Sequence, residues 1–351
     1  MHLLDGIGDT CHVHDSPVRR VTIRDVATAA GVSISTVSHV FSRARPISEG
    51  TANRVRAAAE TLGYVPNPSA ASLRGGQVGL LGLVLRPRNA VQGSLGGTET
   101  FTRFSGAAAA ATLATGRGLL HVPDPLGKNA RRFVMDGCIV MGPYRNDEVI
   151  AGLRKRRVPV VAADIDPDLP ADPWSVRVEY APGIRAILDK MWSKGARRFG
   201  LILGNEANHW TLESNDVVRQ WCSDRGVPCE VRRVFEGQGE TGAYEIARDL
   251  MRADDRPDAV LVGSTRFAIG VLRAAADRGL SVPDDITLAA LTESALTRDA
   301  VPAVTSLDLL LERQAAMCVE LLIDQIDGRE PPAAQQSVVA EVKWRHSTGT
   351  A

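Results

Sequence analysis

Residues 21–66 read VTIRDVATAAGVSISTVSHVFSRARPISEGTANRVRAAAETLGYVP, and their spacing predicts three short helices. Thr22 is a good N-cap, with Ile23, Val26 and Ala27 at helical spacing behind it. Ala30-Gly31-Val32 then breaks the run, and Gly31 is free to take the positive φ that a tight interhelical turn needs. Ser33 can cap a second helix whose Val37 and Val40 face inward, leaving Ile34, Ser35, Thr36, Ser38 and His39 pointing out. A third helix, Ser48 through Leu62, supplies Val55, Ala58, Ala59 and Leu62 to close a small core. Two short helices joined by a glycine turn form a helix-turn-helix unit, whose second helix lies in the DNA major groove.

Charge points the same way. Residues 17–76 hold eight arginines (19, 20, 24, 43, 45, 54, 56 and 74) against Asp25, Glu49 and Glu60, a net +5. The whole chain balances 41 basic against 41 acidic residues, so the remainder carries −5. A basic head on an acidic body is the footprint of polyanion binding, not of a plain three-helix bundle.

At 351 residues the chain is too long for a single core and fits a small head plus a body of about two domains. No run of about eighteen apolar residues is present to span a membrane. The opening MHLLDGIGDTCHVHDSPVRR lacks an apolar segment, so residues 1–20 are expected to be a disordered leader, not a signal peptide. Cys11, His12 and His14 have no further Cys or His group nearby, and no metal site is expected from them. The five cysteines (11, 138, 222, 229 and 318) are scattered without a C-x-x-C pair, which suits reduced thiols in the cytoplasm. Cys138 and Cys318 sit in apolar runs and read as small core residues.

Residues 67–76, NPSAASLRGG, join head to body. Pro68 suits the first turn of a helix and Gly75-Gly76 ends it, but so short a helix is unstable alone in water. From Val78 on, apolar runs alternate with helical patterns. Strands are expected at 78–85, 118–122, 137–141, 158–162, 198–203, 229–234, 258–262 and 286–290. Helices are expected near 99–115, 145–156, 180–194, 211–225, 241–252, 265–278 and 308–326. Such β-α alternation argues for parallel sheets covered by helices on both faces.

Asp25-Val26-Ala27, Ala30-Gly31-Val32-Ser33, Thr36-Val37-Ser38 and Gly63-Tyr64-Val65-Pro66-Asn67 resemble the head of the lactose-repressor/galactose-repressor family of bacterial transcription regulators. The likeness runs nearly unbroken from Val21 to Gly75 and continues in the layout of the body. It implies a helix-turn-helix head at 21–66, a hinge helix at 67–76 and a body at 77–351. The body would be two doubly wound parallel-sheet subdomains of the periplasmic-binding-protein kind, one from 77–163 and 294–328, the other from 164–293 and 329–351. It also implies that Ile34, Ser35, Thr36 and His39 read bases, and that Thr22, Arg24, Ser33, Ser38, Arg54 and Arg56 hold the DNA backbone. Leu73, beside Ala70, would wedge into the minor groove. A small-molecule effector would occupy the interdomain cleft, with Asp164, Arg86, Asn89, Trp210, Ser264, Thr292 and Glu293 as candidate contacts.

The body also departs from that family. Ser264-Thr265 stands where an Asn-Asp pair is usual, Ala290-Leu291-Thr292-Glu293 replaces a Gly-Phe-Asp-Asp pattern, and Val217 occupies the place of a sugar-clamping Arg. Residues 119–136 are about ten residues shorter than the resembling pattern, implying a trimmed helix. These losses leave three readings open: an ordinary sugar, a different effector made anionic by Arg86 and Arg88, or none. Gly237-Gln238-Gly239-Glu240-Thr241-Gly242 matches G-x-G-x-x-G, yet Gly263, Ser264 and Thr265 follow the next strand where a dinucleotide site wants an acid. His209 and His121 lack a flanking nucleophile motif, so no enzyme and no cofactor is expected. A transporter's solute-binding protein would share the body's fold but not the basic head. The sequence reading is a cytoplasmic, nucleoid-associated homodimer that regulates transcription on a pseudo-palindromic operator. No leucine heptad follows the last strand, so no tail-mediated tetramer is expected.

Overall fold

A computed structural model describes residues 21–42, 45–65, 77–86, 99–123, 125–126, 133–252, 255–333 and 335–349. The leader, the hinge with Ala70 and Leu73, and the stretch holding Arg88 and Asn89 lie outside the described residues. The chain folds as two compact units, Met1–Val78 and Gly79–Ala351.

The head is three helices: α1 (Ile23–Ala30), α2 (Ile34–Ser42) and α3 (Glu49–Leu62). At the start of α1 the Thr22 amide and hydroxyl both donate to the Asp25 carboxylate at 2.8 Å. Gly31 ends α1 at φ 64°, a left-handed conformation that an L side chain resists. Val26, Val37 and Val55, one from each helix, are fully buried together, and Phe41 and Tyr64 lean on each other at the edge, 5.9 Å between ring centres.

The body builds two sheets. The first contains β1 (Leu80–Leu85), β2 (Gly118–His121), β3 (Gly137–Met141), β4 (Val160–Ala163), β5 (Ser175–Glu179) and, far along the chain, β11 (Gln336–Val339). Its order is β11-β5-β4-β3-β1-β2, all parallel. The second contains β6 (Phe199–Gly204), β7 (Cys229–Val234), β8 (Ala259–Val262), β9 (Thr287–Ala290), β10 (Thr305–Asp308) and β12 (Glu341–Lys343). Its order is β12-β10-β9-β8-β6-β7, parallel except for β12 against β10. The helices are α4 (Glu99–Ala114), α5 (Glu148–Lys155), α6 (Ala181–Ser193), α7 (His209–Asp224), α8 (Gly239–Leu250), α9 (Thr265–Asp277), the short α10 (Ala295–Arg298) and α11 (Leu311–Ile326). Every residue of β3, β4, β6, β8 and β9 is buried, as parallel strands covered on both faces require.

The sheets move three of the expected boundaries. Residues 164–179 were expected in the second lobe and 294–308 in the first; the hydrogen bonding reverses both. β5 pairs with β4 and β11, which keeps it in the first sheet, and β10 pairs with β9 and β12, which keeps it in the second. The chain therefore changes sheets at Tyr180, at Leu309–Leu310 and at Ala340. The physical reason is burial: Val176 and Val178 of β5 and Leu307 of β10 are enclosed in the sheets these strands join. Residues 329–351, expected wholly in the second lobe, divide at the third crossing into β11 and β12, one for each sheet.

Gly270, in the middle of α9, lets that helix lie directly on α8. A Cβ added there would stand 2.4 Å from the Glu240 carbonyl oxygen and 2.7 Å from the Tyr244 nitrogen, both backbone atoms that cannot swing aside. An alanine ordinarily stabilises a helix interior by roughly 0.5–1 kcal/mol over glycine. Here overpacking reverses the sign. Gly270→Ala is expected to lower stability by about 1–3 kcal/mol, read as a lower urea midpoint at unchanged slope; a stabilised variant would contradict the close approach.

Candidate functional site

The head presents one outward face on α2. Ser33 caps that helix, its hydroxyl oxygen accepting the Thr36 N–H at 3.1 Å and exchanging hydroxyl bonds with Ser35 and Thr36 at 2.7 and 2.8 Å. Val37 and Val40 turn into the core, and Ile34 is left 45 % exposed beside the exposed Ser35. Thr36 and His39 are half-buried at the rim. Ser38 departs from the sequence reading: it is 8 % exposed, because α2 is gripped by α1 on one side and α3 on the other and its buried arc is wider than two valines. It is a packing residue, not one that points out. Thr22, Arg24, Ser33, Arg54 and Arg56 are all exposed, with the Arg56 guanidinium held by Asn53 at 3.0 Å.

The body's site is a cavity of about 140 Å³ between the lobes, at the carboxyl ends of the strands. Open α/β sheets bind ligands at that end, where loops from several strands converge. From the first lobe come Glu99, Phe101, Met141, Asp164 and Tyr180; from the second come Glu206, Asn208, Trp210, Glu236, Ser264, Arg266 and Thr292. Asp164, Trp210, Ser264 and Thr292, four of the candidate contacts, line this cavity. The Thr292 hydroxyl already donates to the Gly263 carbonyl at 3.3 Å.

Arg86 and Glu293 do not. Arg86 is buried beside α5, its Nε on the Asp147 carboxylate at 2.7 Å and its guanidinium 4.8 Å from the centre of the Tyr144 ring. Glu293 grips Arg345 with both oxygens at 2.8 and 2.9 Å and also accepts from Ser306, so it ties the C-terminal segment to the second sheet. Burial pushes the Glu293 carboxyl up, but the bonds from Arg345 and Ser306 outweigh it and hold it below the usual carboxylate range. Both charges went inside because each found a fitting partner. Without Arg86 the anionic-effector reading rests on Arg88, outside the described residues, while the described cleft residues show Glu99, Asp164, Glu206 and Glu236 against Arg266.

Asp164 is the centre of the site. It follows β4 at φ 74°, a left-handed position where Asp is among the few tolerated side chains. Its N–H still pairs with the Val176 carbonyl at 2.9 Å, which turns the carboxylate toward the other lobe. There Oδ2 accepts the Tyr180 hydroxyl at 2.6 Å and Oδ1 meets His209 Nδ1 at 2.8 Å. The other ring nitrogen of His209 lies 3.2 Å from Glu213, one turn along α7, and Glu213 takes Arg177 of β5 at 2.9 Å. Five polar side chains thus form one chain across the lobes, buried at Tyr180, Asp164 and His209 and half-buried at Glu213 and Arg177. The sequence reading missed Tyr180, His209 and Glu213. Only the switch-point rule, applied to the residues just after β6, was positioned to find His209.

Glu236 was missed as well. It follows β7 and directly precedes the G-x-G-x-x-G stretch, whose first two residues complete a single 3₁₀ turn and whose last four open α8. Gly204 makes room for it, since a Cβ there would stand 2.0 Å from Oε1. Oε1 accepts the Glu206 N–H at 2.8 Å, while Oε2 is buried with no hydrogen-bond partner in the protein. Trp210 Nε1 and Arg266 Nε are buried without partners too. An unpaired buried polar group costs about 1–3 kcal/mol, so one unused acceptor and two unused donors around one cavity define a place for a polar, multiply hydrogen-bonding molecule.

The His209 contacts fix a pH dependence. Burial pulls the imidazole pKa down, but the Asp164 hydrogen bond and the charges of Asp164 and Glu213 outweigh it and raise it above the ordinary value. A raised folded-state pKa adds stability that is complete below about 6.5 and fades as pH rises through the folded value. His209→Gln is therefore expected to destabilise the chain most in mild acid and progressively less toward alkaline pH. Chemical denaturation of both proteins across that range checks it, and a difference that grows with pH would contradict the assignment.

Comparison with known proteins agrees with this geometry. The profile described as "Bacterial regulatory proteins, lacI family" matches residues 22–67, and "Periplasmic binding protein-like domain" matches residues 188–348. Catabolite control protein A of Priestia megaterium is 25 % identical over 337 residues, covering 93 % of this chain and 99 % of the relative. A lac repressor dimer bound to operator and the anti-inducer ONPF shares the fold with a TM-score of 0.75 at 20 % identity, over 95 % of this chain and 100 % of that one. The transcriptional regulator CelR in complex with cellobiose superposes with a TM-score of 0.67 at 22 % identity, over 93 % and 100 %. With a helix-turn-helix head and a two-lobed cleft body in the same chain order as these proteins, this chain carries a LacI-family DNA-binding domain followed by a periplasmic-binding-protein-like domain.

Proposed function

We propose that the chain is a sequence-specific DNA-binding transcriptional repressor, acting as a homodimer on a pseudo-palindromic operator and controlled by a small molecule in the cleft. The observation that carries the DNA half is the α2 face: a Ser33-capped helix showing Ile34 and Ser35 to solvent, flanked by the exposed Arg24, Arg54 and Arg56. Ile34, Ser35, Thr36 and His39 read base edges; the arginines with Thr22 and Ser33 meet phosphates. Two-fold protein symmetry then calls for two inverted half-sites. Its place is the cytoplasm, at the nucleoid, where reduced cysteines and an operator are both found. It is a regulator and not an enzyme.

The effector is a polar molecule rich in hydrogen-bonding groups. The single supporting observation is the unpaired set of Glu236 Oε2, Trp210 Nε1 and Arg266 Nε around the cavity. One molecule bearing both donors and acceptors, as a polyol does, satisfies all three. The domain plan proposed here is a leader at 1–20, the head at 21–66, the hinge at 67–76 and the body beyond it. Asn89 stays a candidate contact from a stretch outside the described residues.

Exchanging Ile34-Ser35 for another pair is expected to change the DNA sequence selected from a random pool while leaving nonspecific affinity nearly intact, since a good base contact discriminates by about 1–3 kcal/mol. An unchanged selected site sinks the assignment. Removing Arg24, Arg54 or Arg56 should weaken all sequences alike and flatten the salt dependence. For the hinge, Leu73 beside Ala70 is proposed to wedge a base step open, offsetting an unstacking cost of a few kcal/mol by the extra contacts a bend permits. Leu73→Ala keeps the charge set, so operator affinity should fall by orders of magnitude with nonspecific affinity unmoved. Equal loss of both, measured at one salt concentration, refutes the wedge.

A further inference from the structure

The second lobe carries a thiol pair that neither the DNA-reading face nor the cleft uses. Cys222 lies near the C-terminal end of α7, and Cys229 opens β7, the edge strand of its sheet. The chain between them turns back tightly, the N–H groups of Arg225 and Val227 both donating to the Cys222 carbonyl at 3.2 and 3.0 Å. At the two ends of this turn, Cys222 sits in an apolar cluster and Cys229 packs against the same cluster, and both thiols are free. Cys222 is 1 % exposed, whereas Cys229 is only half-buried and open to a small reagent.

We propose that Cys222 and Cys229 are an oxidisable dithiol, a modification site at which a peroxide converts the pair reversibly into a disulfide within the chain. The roles divide by environment. The hydrogen bond from Cys222 and the positive charge of Arg219 outweigh burial and hold the Cys229 thiol below its usual range. The same bond, with burial, pushes Cys222 up. Cys229 is therefore the attacking thiolate and Cys222 the resolving thiol, the arrangement of a low-pKa, accessible sulfur poised beside a second one. In the first step the Cys229 thiolate attacks one peroxide oxygen, the O–O bond breaks, and after protonation the products are a sulfenic acid and water. In the second, the Cys222 sulfur displaces hydroxide from that sulfenic acid and its proton leaves with it as a second water. Two thiols and one hydrogen peroxide thus give one disulfide and two waters, and a small-molecule dithiol reverses the change by exchange.

The other described cysteines lack this chemistry. Burial pushes the Cys138 thiol up to about 12 and that of Cys318 above its usual range, and both are fully enclosed. The tie has a structural consequence too. α7 carries Trp210 to the cleft at its far end and β7 leads into Glu236, so a covalent link joins the two elements that position two of the cavity's three unpaired polar groups.

Trypsin makes the test direct. It cuts after Arg219, Arg225 and Arg232, releasing Gln220–Arg225 and Gly226–Arg232 as separate peptides unless a disulfide joins them. The reduced full-length chain, exposed to hydrogen peroxide, alkylated and digested without reductant, is expected to yield the joined pair by mass, and dithiothreitol should abolish it. Iodoacetamide on the untreated native chain should label Cys229 at least about tenfold faster than Cys138 or Cys318. In Cys222→Ser, Cys229 should stop at a sulfenic acid trapped by dimedone. Three results would each overturn the proposal: no joined peptide while peroxide oxidises other thiols, a link only between separate chains, or a Cys229 no more reactive than the enclosed cysteines.

Discussion

The contact between Asp164 and His209 holds the body in the state described here. Three chain crossings, at Tyr180, Leu309–Leu310 and Ala340, connect the lobes but leave their relative angle to side chains. Few groups reach across. The Glu99 carboxylate accepts the Ala295 N–H at 2.7 Å, Tyr144 pairs its backbone with Asn208, and Arg103 joins Asp308 to Glu312 at the second crossing. Asp164 differs from these because it is buried, charged and placed by a left-handed backbone. Pulling the lobes apart strands that carboxylate from His209, and separating a buried pair without replacing the partner is costly. The lobes therefore have discrete arrangements, not a continuum.

A molecule in this cleft touches both lobes. Glu99 and Asp164 stand on one side, Trp210, Glu236 and Arg266 on the other. Such a ligand stabilises whichever lobe arrangement lets it satisfy both sides, and it shifts the balance only by the difference of its affinities for the two. Tight binding alone does nothing.

How much of this was legible in the sequence follows from the kind of signal each part leaves. The head was readable because its caps, glycine turn and valine spacing are local. The alternating strands and helices were readable because buried parallel strands are continuous apolar runs, as in Cys138-Ile139-Val140 or Leu201-Ile202-Leu203. β10 leaves no such run. It reads Thr-Ser-Leu-Asp, and its buried hydroxyls are tolerated only because Thr305 bonds Thr348 and the Arg345 backbone while Ser306 bonds Glu293. β5 alternates, Ser-Val-Arg-Val-Glu, and its arginine reaches Glu213 in the other lobe. Arg86 and Glu293 were misplaced for the same reason: a charge in a loop reads as available until its long-range partner, Asp147 or Arg345, is seen. Tyr180 and His209 come together from 29 positions apart only through the fold.

The central claim is that the arrangement of the lobes, held by Asp164, governs how well the head holds its operator. The most direct measurement compares the chain and Asp164→Asn, both verified as folded, for affinity to operator and to unrelated DNA at one salt concentration. Coupling of about 1–3 kcal/mol predicts that operator affinity changes by roughly 5- to 150-fold while affinity for unrelated DNA, set by the head's arginines, stays put. An operator affinity unchanged by the substitution, or one that moves in step with nonspecific affinity, would contradict the account.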